Sequence, residues 1–192
     1  SPAGQSTQII IGADSSTDLD VLKSSTDLYG TYKLKRVYYS AFSPISDASS
    51  ILPVEAPPLA REHRLYQADW LLRHYEFSIG DLTDASDDGM LDLAIDPKLA
   101  WALKHRAQFP LDVNRAAREM LLRVPGLGKR AVDQIISSRR HQRLRAEDIR
   151  RLSPGFKRAM PFLVTADHRP TMTLDRLDLR QRLVPPRQLE LF

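Results

Sequence analysis

The chain has 192 residues, which is enough for one domain or two small ones. Its apolar content of 42% and charged content of 27% are typical of a globular protein, and the absence of cysteine excludes disulfides and thiolate metal sites within the chain. No apolar stretch reaches the roughly 20 residues of a membrane-spanning helix, so we expect no membrane partner and a cytoplasmic location.

A strand, a helix and a second strand are predicted at the start of the chain. Residues 7–11 and 35–42 are rich in β-branched and aromatic side chains, and Thr17 is a suitable N-cap for a helix between them. Such a unit places its two strands parallel. Because two parallel strands do not form a stable sheet alone, we expect further strands from another part of a longer protein. The start without methionine also favours a fragment.

A proline-rich linker at residues 43–58 leads to connecting helices at residues 59–110. The first of these helices begins near Arg61, and its opening residues 61–64 are polar. Charged side chains in a first turn are usually solvated, so this is the preferred interpretation; contact with a ligand is the alternative.

Two helices joined by a short glycine-rich turn are predicted over residues 113–140. Apolar residues recur with helical spacing before and after the break at residues 125–128. The glycines on either side of Leu127 allow a tight turn and a close approach of the backbone to a partner. The free N–H groups at the start of the second helix, together with Lys129 and Arg130, suit a phosphate.

The sequence Val-Pro-Gly-Leu-Gly-Lys-Arg-Ala at residues 124–131 resembles the helix-hairpin-helix motif of DNA repair and replication proteins. The resemblance implies a grip on the nucleic-acid backbone that largely ignores base sequence. An ordinary helical corner with a glycine cap is the alternative. The predicted DNA-binding residues are Gly126, Leu127, Gly128, Lys129, Arg130, Arg139 and Arg140, with Arg143 extending the basic track.

The positive charge of the chain is concentrated on and just after this turn. Residues 113–158 contain 13 basic and four acidic residues, whereas the rest of the chain is net acidic and the total is only +4. A nucleic-acid-binding face has this electrostatic pattern, although a solvated basic surface also has it.

A shift of 28 residues aligns the hairpin with a weaker copy of itself. Val124 then matches Leu152, and the Lys-Arg-Ala sequence of residues 129–131 recurs at residues 157–159. The glycines do not recur, since Gly126 matches Pro154. This pattern predicts two hairpins in one helical domain, of which the first binds and the second mainly packs. Chance similarity of two amphipathic helix pairs is the alternative.

The C-terminal tail comprises residues 166–192, of which residues 166–186 are charged and predicted to be irregular. It ends in Gln-Leu-Glu-Leu-Phe, which resembles the peptide by which bacterial proteins dock on the replication sliding clamp. Two apolar anchors and an orienting glutamine suit a hydrophobic cleft. Packing of Leu191 and Phe192 on the chain's own domain is the equal alternative. The predicted clamp-docking residues are Gln188, Leu189, Leu191 and Phe192.

Four segments together resemble the C-terminal part of a bacterial family of DNA modification or repair radical SAM proteins, namely residues 3–8, 35–42, 61–73 and 124–131. The resemblance implies a partial barrel that holds a 4Fe-4S cluster and S-adenosylmethionine. Such a cluster is held by three cysteines, and this chain has none. Both cofactors are therefore expected in the intact protein and not in this chain, which we do not expect to be catalytic alone. No catalytic residue and no metal site is assigned.

The sequence thus predicts a mostly α fold. A strand–helix–strand remnant of a partial α/β barrel, within residues 1–58, precedes a pseudo-duplicated helix-hairpin-helix domain at residues 111–165. The predicted function is sequence-nonspecific DNA-backbone binding, as the delivery module of a radical SAM-type DNA modification or repair protein. A missing N-terminal barrel segment is an expected partner. The alternative is a protein-interaction adaptor that docks on replication or repair proteins such as the sliding clamp.

Overall fold

A computed structural model of the chain describes residues 4–45, 52–170 and 179–184. These residues are mainly helical, with nine α-helices and two short pairs of parallel strands, so the prediction of a mostly α chain is confirmed. The chain divides into two compact units. The first comprises Ser1–Arg73 and Phe77–Pro97, and the second comprises His74–Glu76 and Lys98–Phe192. Among the described residues, no helix combines the length and apolar character needed to cross a membrane.

The first unit begins with strand β1 (Ser6–Ile11), helix α1 (Asp18–Thr31) and strand β2 (Arg36–Ala41), in the predicted order. The two strands pair in parallel. Helix α1 begins after Thr17, whose hydroxyl accepts a hydrogen bond from the N–H of Asp20, while the Asp20 carboxylate accepts from the N–H of Thr17. This capping box satisfies two backbone donors at the helix start, which explains why the helix begins there.

Helix α2 (Leu59–His74) runs antiparallel to β2 along its outer edge. Three side chains of this helix form hydrogen bonds of 3.0–3.1 Å with the backbone along this edge. Glu62 accepts from the N–H of Ala41, and the hydroxyl of Tyr66 bonds both the N–H and the carbonyl of Tyr39. Arg73 donates to the carbonyl of Lys35, the residue before β2. The hydroxyl of Tyr29 accepts from the N–H of Val37 on the same edge. Since these N–H groups are occupied, this edge of the sheet is closed to another strand.

The prediction that residues 61–64 form a solvated first turn is wrong for Arg61. Its side chain is buried, and its Nε donates to Oδ1 of the fully buried Asp18 at 2.6 Å. The other oxygen of Asp18 accepts from the N–H of Leu91 at 3.0 Å, beyond helix α3 (Ile79–Asp84). A buried carboxylate requires such partners, so this ion pair joins α1, α2 and the segment after α3.

The second unit is built on short helices and one small pair of parallel strands. Its elements are α4 (Pro97–Lys104), β3 (Leu111–Asp112), α5 (Arg118–Arg123), α6 (Lys129–Ser138), α7 (Ala146–Leu152), α8 (Phe156–Ala159), β4 (Leu163–Val164) and α9 (Leu179–Leu183). The core contains Leu121, Leu122, Val124, Ile135 and Phe162, all with 0% exposure. The prediction of an irregular tail is wrong at α9, which buries Leu179.

The first helix of the hairpin is shorter than predicted, because residues 113–117 form turns instead of helix. The side chain of Asn114 bonds both backbone groups of Leu144, accepting at 2.7 Å and donating at 3.2 Å. The carboxylate of Asp112 also accepts from the N–H of Asn114. These bonds compete with helix formation, since asparagine and aspartate side chains replace the backbone partners that a helix supplies. Helix α5 therefore starts only at Arg118.

Candidate nucleic-acid interface

The turn between α5 and α6 is shaped by two glycines in different conformations. Gly126 has a φ of 86°, which lies in the left-handed region that favours glycine. Leu127 is buried, and its N–H bonds the carbonyl of Val124 at 3.1 Å. Gly128 has an ordinary φ of −84° and immediately precedes α6. The turn therefore projects one apolar side chain inward and leaves open space beside its last glycine, Gly128.

The start of α6 lacks the groups that normally stabilise a helix N-terminus. No side chain caps it, and its first turn has no acidic residue. Among the described residues, the N–H groups of Gly128, Arg130 and Ala131 have no hydrogen-bond partner, and that of Lys129 has only the hydroxyl of Tyr75 at 3.3 Å. By contrast, α1 and α3 both begin with capping boxes. Unpaired donors at the positive end of a helix favour an anion.

Two cations add to this positive potential. The side chains of Lys129 and Arg130 are exposed, and neither forms an ion pair with any residue that the structure describes. Basic residues in the first turn are unfavourable to a helix, because they repel its positive end. The sequence therefore places charge where it destabilises α6 in isolation, and a bound anion would relieve that repulsion.

The space above Gly128 is open. A Cβ added there would meet only the hydroxyl of Tyr75 at 3.7 Å, an ordinary contact distance. Neither packing nor backbone conformation requires glycine at this position, in contrast to Gly126. A glycine without a structural need is consistent with a partner that approaches the backbone closely.

Two residues that the sequence analysis missed support the turn from below. The buried Lys98 donates from Nζ to the carbonyl of Leu127 at 2.6 Å and lies 4.7 Å from the centre of the Tyr75 ring. Tyr75 carries no local signal of this role, since it is 54 residues from Lys129 in the chain. For Lys98 the sequence contains a weak signal of this role, because a lysine among apolar residues at a helix start needs a buried acceptor.

The two hairpin helices are also joined by an exposed ion-pair network. Arg118, the first residue of α5, donates to Asp133 on α6 at 2.9 and 3.0 Å and also contacts Glu76. The hydrogen bonds to Asp133 raise the pKa of the Arg118 guanidinium. Pairs of this exposure contribute little stability, so their main effect is on the relative orientation of the two helices.

The predicted basic track divides into two kinds of arginine. Arg139 donates from one terminal nitrogen to the carbonyls of Val113 and Ala116, at 3.2 and 2.7 Å, and so holds the turns before α5. Arg140 and Arg143 are exposed and form no ion pair with any described residue. Of the predicted arginines after α6, Arg140 and Arg143 are therefore the two whose guanidinium groups are available to a ligand.

The second turn of the unit, between α7 and α8, differs from the first. The N–H groups of Phe156, Arg158 and Ala159 all bond carbonyls of Ser153 or Gly155 within the turn. The hydroxyl of Ser153 donates to the carbonyl of Gly126 at 2.7 Å, so the second turn supports the first. Its occupied donors leave it without the exposed amide cluster found at the start of α6.

Two further expectations concern the clamp-docking peptide and the metal cluster implied by the radical SAM resemblance. The clamp-docking residues Gln188, Leu189, Leu191 and Phe192 lie outside the described residues. Within the part of the chain that the structure describes, no group of three histidines or carboxylates is placed to hold a metal ion. An iron–sulfur cluster needs thiolates, and the sequence has no cysteine, so the cluster implied by the radical SAM resemblance does not fit this chain.

Comparison of the chain with protein-family models, with curated proteins and with solved structures gave no match.

Proposed function

We propose that this unit binds the sugar-phosphate backbone of DNA through the turn at residues 126–130, without reading base sequence. The observation that carries the proposal is the start of α6, where unpaired amides, two unpaired cations and an unobstructed glycine converge. Each feature favours an anion, and together they present donors in a shape that a phosphate can approach. We therefore regard the turn as a helix-hairpin-helix, with the α7–α8 turn as its packed and weakened counterpart.

A salt titration tests the proposal. Binding of two unrelated duplexes should fall with salt by about 0.9 log units of affinity per log unit of salt for each phosphate engaged, and should not distinguish the duplexes. Fluorescence anisotropy measures both quantities. A flat salt dependence, or a strong preference for one duplex, would contradict the proposal.

Two variants separate the turn from the general basic surface. Gly128→Val should weaken duplex binding about tenfold or more, because the side chain blocks hydrogen bonds to a charged ligand, while the circular dichroism of the helices stays unchanged. Lys129→Glu should weaken duplex binding more than Gly128→Val does, because the new carboxylate repels the phosphates. Lys23→Glu changes another exposed lysine, in the first unit, and is the matched control. If Gly128→Val binds as tightly as the unaltered chain, the turn is structural.

We further propose that the β1–α1–β2 segment is the last unit of a partial barrel in a longer radical SAM-type DNA modification or repair protein. The parallel pairing of β1 with β2 and the closed outer edge of β2 support this proposal, since additional strands can join only beside β1. The upstream coding sequence tests it. A cysteine triplet in an upstream barrel segment is expected, and an upstream segment without one would contradict the proposal.

The alternative function is an adaptor that docks on the sliding clamp, which is favoured by the Gln-Leu-Glu-Leu-Phe end alone. Deletion of residues 188–192 should abolish retention on immobilised clamp and leave duplex binding unchanged. Unchanged retention would remove this function.

A further inference from the structure

A second basic surface lies in the first unit, where β1 and β2 begin. A cleft of about 390 Å³ opens there, which is within the size range of small-ligand sites. Its lining includes Ser6, Lys35, Arg36, Tyr38, Trp70 and Arg73. None of the described residues that line it is acidic. The cleft therefore combines three cations with two aromatic rings.

The antiparallel course of α2 along β2 brings these side chains together. Arg73 is held by its bond to the carbonyl of Lys35 and lies 4.7 Å from the centre of the Tyr29 ring. Trp70 precedes it by nearly one helical turn and is 54% exposed. The residues of the wall are thus positioned by backbone contacts of two regular elements, which is a more rigid arrangement than a loop provides.

The strand side of the cleft presents a ring and a cation in contact. Tyr38 projects from β2 and is 44% exposed, and the guanidinium of Arg36 lies 5.1 Å from the centre of its ring. Arg36 forms no ion pair with any described residue. Arg73, by contrast, is paired with Asp69 at 3.6 Å. Exposed aromatic rings beside cations are the two elements that single-stranded nucleic-acid sites combine, since the rings stack on bases and the cations bind phosphates.

We infer that this cleft binds one unpaired nucleotide, with its base against Trp70 or Tyr38 and its phosphate against Arg36. A base within a duplex is stacked on its neighbours and has no free face for such contact, so the nucleotide is either free in solution or part of a single strand. The inference rests on the first unit alone and does not depend on the hairpin.

The test uses the full chain with Lys129→Glu and Arg130→Glu, which suppress the hairpin. Anisotropy of a labelled oligothymidylate is compared with that of an abasic oligomer of equal length and charge. We expect the abasic oligomer to bind at least about fivefold more weakly, because base stacking is lost. Competition with thymidine monophosphate distinguishes a free nucleotide from a single strand as the ligand. If the monophosphate displaces the labelled oligothymidylate at an equal concentration of nucleotides, the ligand is a free nucleotide. If it does not displace the oligomer, the ligand is a single strand.

Variants of the cleft assign the binding to its side chains. Trp70→Ala should weaken oligothymidylate binding roughly 5- to 150-fold, whereas Trp70→Phe retains a ring and most of the affinity. Arg36→Glu should also weaken binding, and Lys23→Glu, outside the cleft, should not. Equal binding of the two oligomers, or equal affinities of Trp70→Ala and Lys23→Glu, would overturn the inference. Loss of duplex binding with retained oligothymidylate binding in the suppressed background shows that the two sites act separately.

Discussion

Gly126 and Gly155 lie backbone to backbone between the two turns of the second unit. A Cβ on Gly155 would lie 2.2 Å from the carbonyl oxygen of Gly126, and a Cβ on Gly126 would lie 2.4 Å from the carbonyl oxygen of Gly155. These distances are far below van der Waals contact, and the obstructing atoms are backbone that cannot rotate away. The approach of the two turns therefore requires glycine on both sides.

Gly155→Ala should consequently destabilise the chain, by roughly 1–3 kcal/mol, as expected for overpacking in a closely packed interior. Urea unfolding followed by circular dichroism measures this change. Gly30→Ala is the control, because a Cβ at Gly30 meets no atom within 4 Å and the residue lies in α1. It should be neutral or slightly stabilising, since alanine favours helix. Equal effects of the two substitutions would show that the turns are not in close contact.

The buried ion pair between Asp18 and Arg61 is a second strong constraint, in the first unit. Asp18→Ala leaves the Arg61 charge buried without its partner and should destabilise the chain by roughly 3 kcal/mol or more. Replacement of both residues, as Asp18→Ala with Arg61→Met, should cost less than the sum of the single changes. Urea unfolding of the four chains measures the coupling. Asp27→Ala, at an exposed position of the same helix, should change stability little. Strict additivity would contradict the pairing.

The carboxylate of Asp167 should give a pH-dependent stability term. It accepts from the N–H of Ala146, at the start of α7, and from the hydroxyl of Thr165, both at 2.8 Å. These bonds favour the charged form and lower the pKa of Asp167 below its ordinary value of 3.8. A depressed folded-state pKa stabilises the fold above the unfolded pKa, and this stabilisation is lost as the pH falls through the folded pKa.

Carbon-13 NMR titration of the Asp167 carboxyl measures this directly. We expect a midpoint below 3.8 in the unaltered chain and an upward shift in Thr165→Val, which removes one of the two donors. Asp167→Asn should leave a smaller dependence of stability on pH below about pH 4. A midpoint at the ordinary value would show that the helix start is not capped by this side chain in solution.

Local pattern was sufficient to predict the elements whose partners are close in sequence. Thr17 and Asp20 form their capping box within one helical turn, and the strand–helix–strand order follows from runs of β-branched residues. The hairpin turn was equally local, because its glycines, its buried Leu127 and its cations lie within five residues.

Local pattern failed where a distant residue decides the outcome. Arg61 was expected in solvent because its partner Asp18 lies 43 residues away, and helix was expected at Asn114 because its partner Leu144 lies 30 residues away. In both cases a tertiary hydrogen bond overrides the preference of the segment. The support of the turn by Tyr75 and Lys98 was missed for the same reason.

Arg139 and Arg140 allow a structural role to be separated from the proposed DNA-binding role, because they are neighbours with the same charge. Arg139→Ala removes the donor from the carbonyls of Val113 and Ala116 and should destabilise the chain by about 1–3 kcal/mol. Arg140→Ala removes an exposed side chain without a protein partner among the described residues and should change stability by less than about 0.5 kcal/mol.

Their effects on duplex binding should be the reverse. Arg140→Ala should reduce the slope of log affinity against log salt by about 0.9, as expected for the loss of one phosphate contact. Arg139→Ala should leave this slope unchanged. Binding is measured without urea and at a temperature well below the unfolding transition of this variant. Since the two variants carry the same net charge, a general loss of attraction affects both equally and cannot produce the difference. An equal reduction of the slope in both variants would show that Arg139 contacts DNA as well as holding the turns before α5.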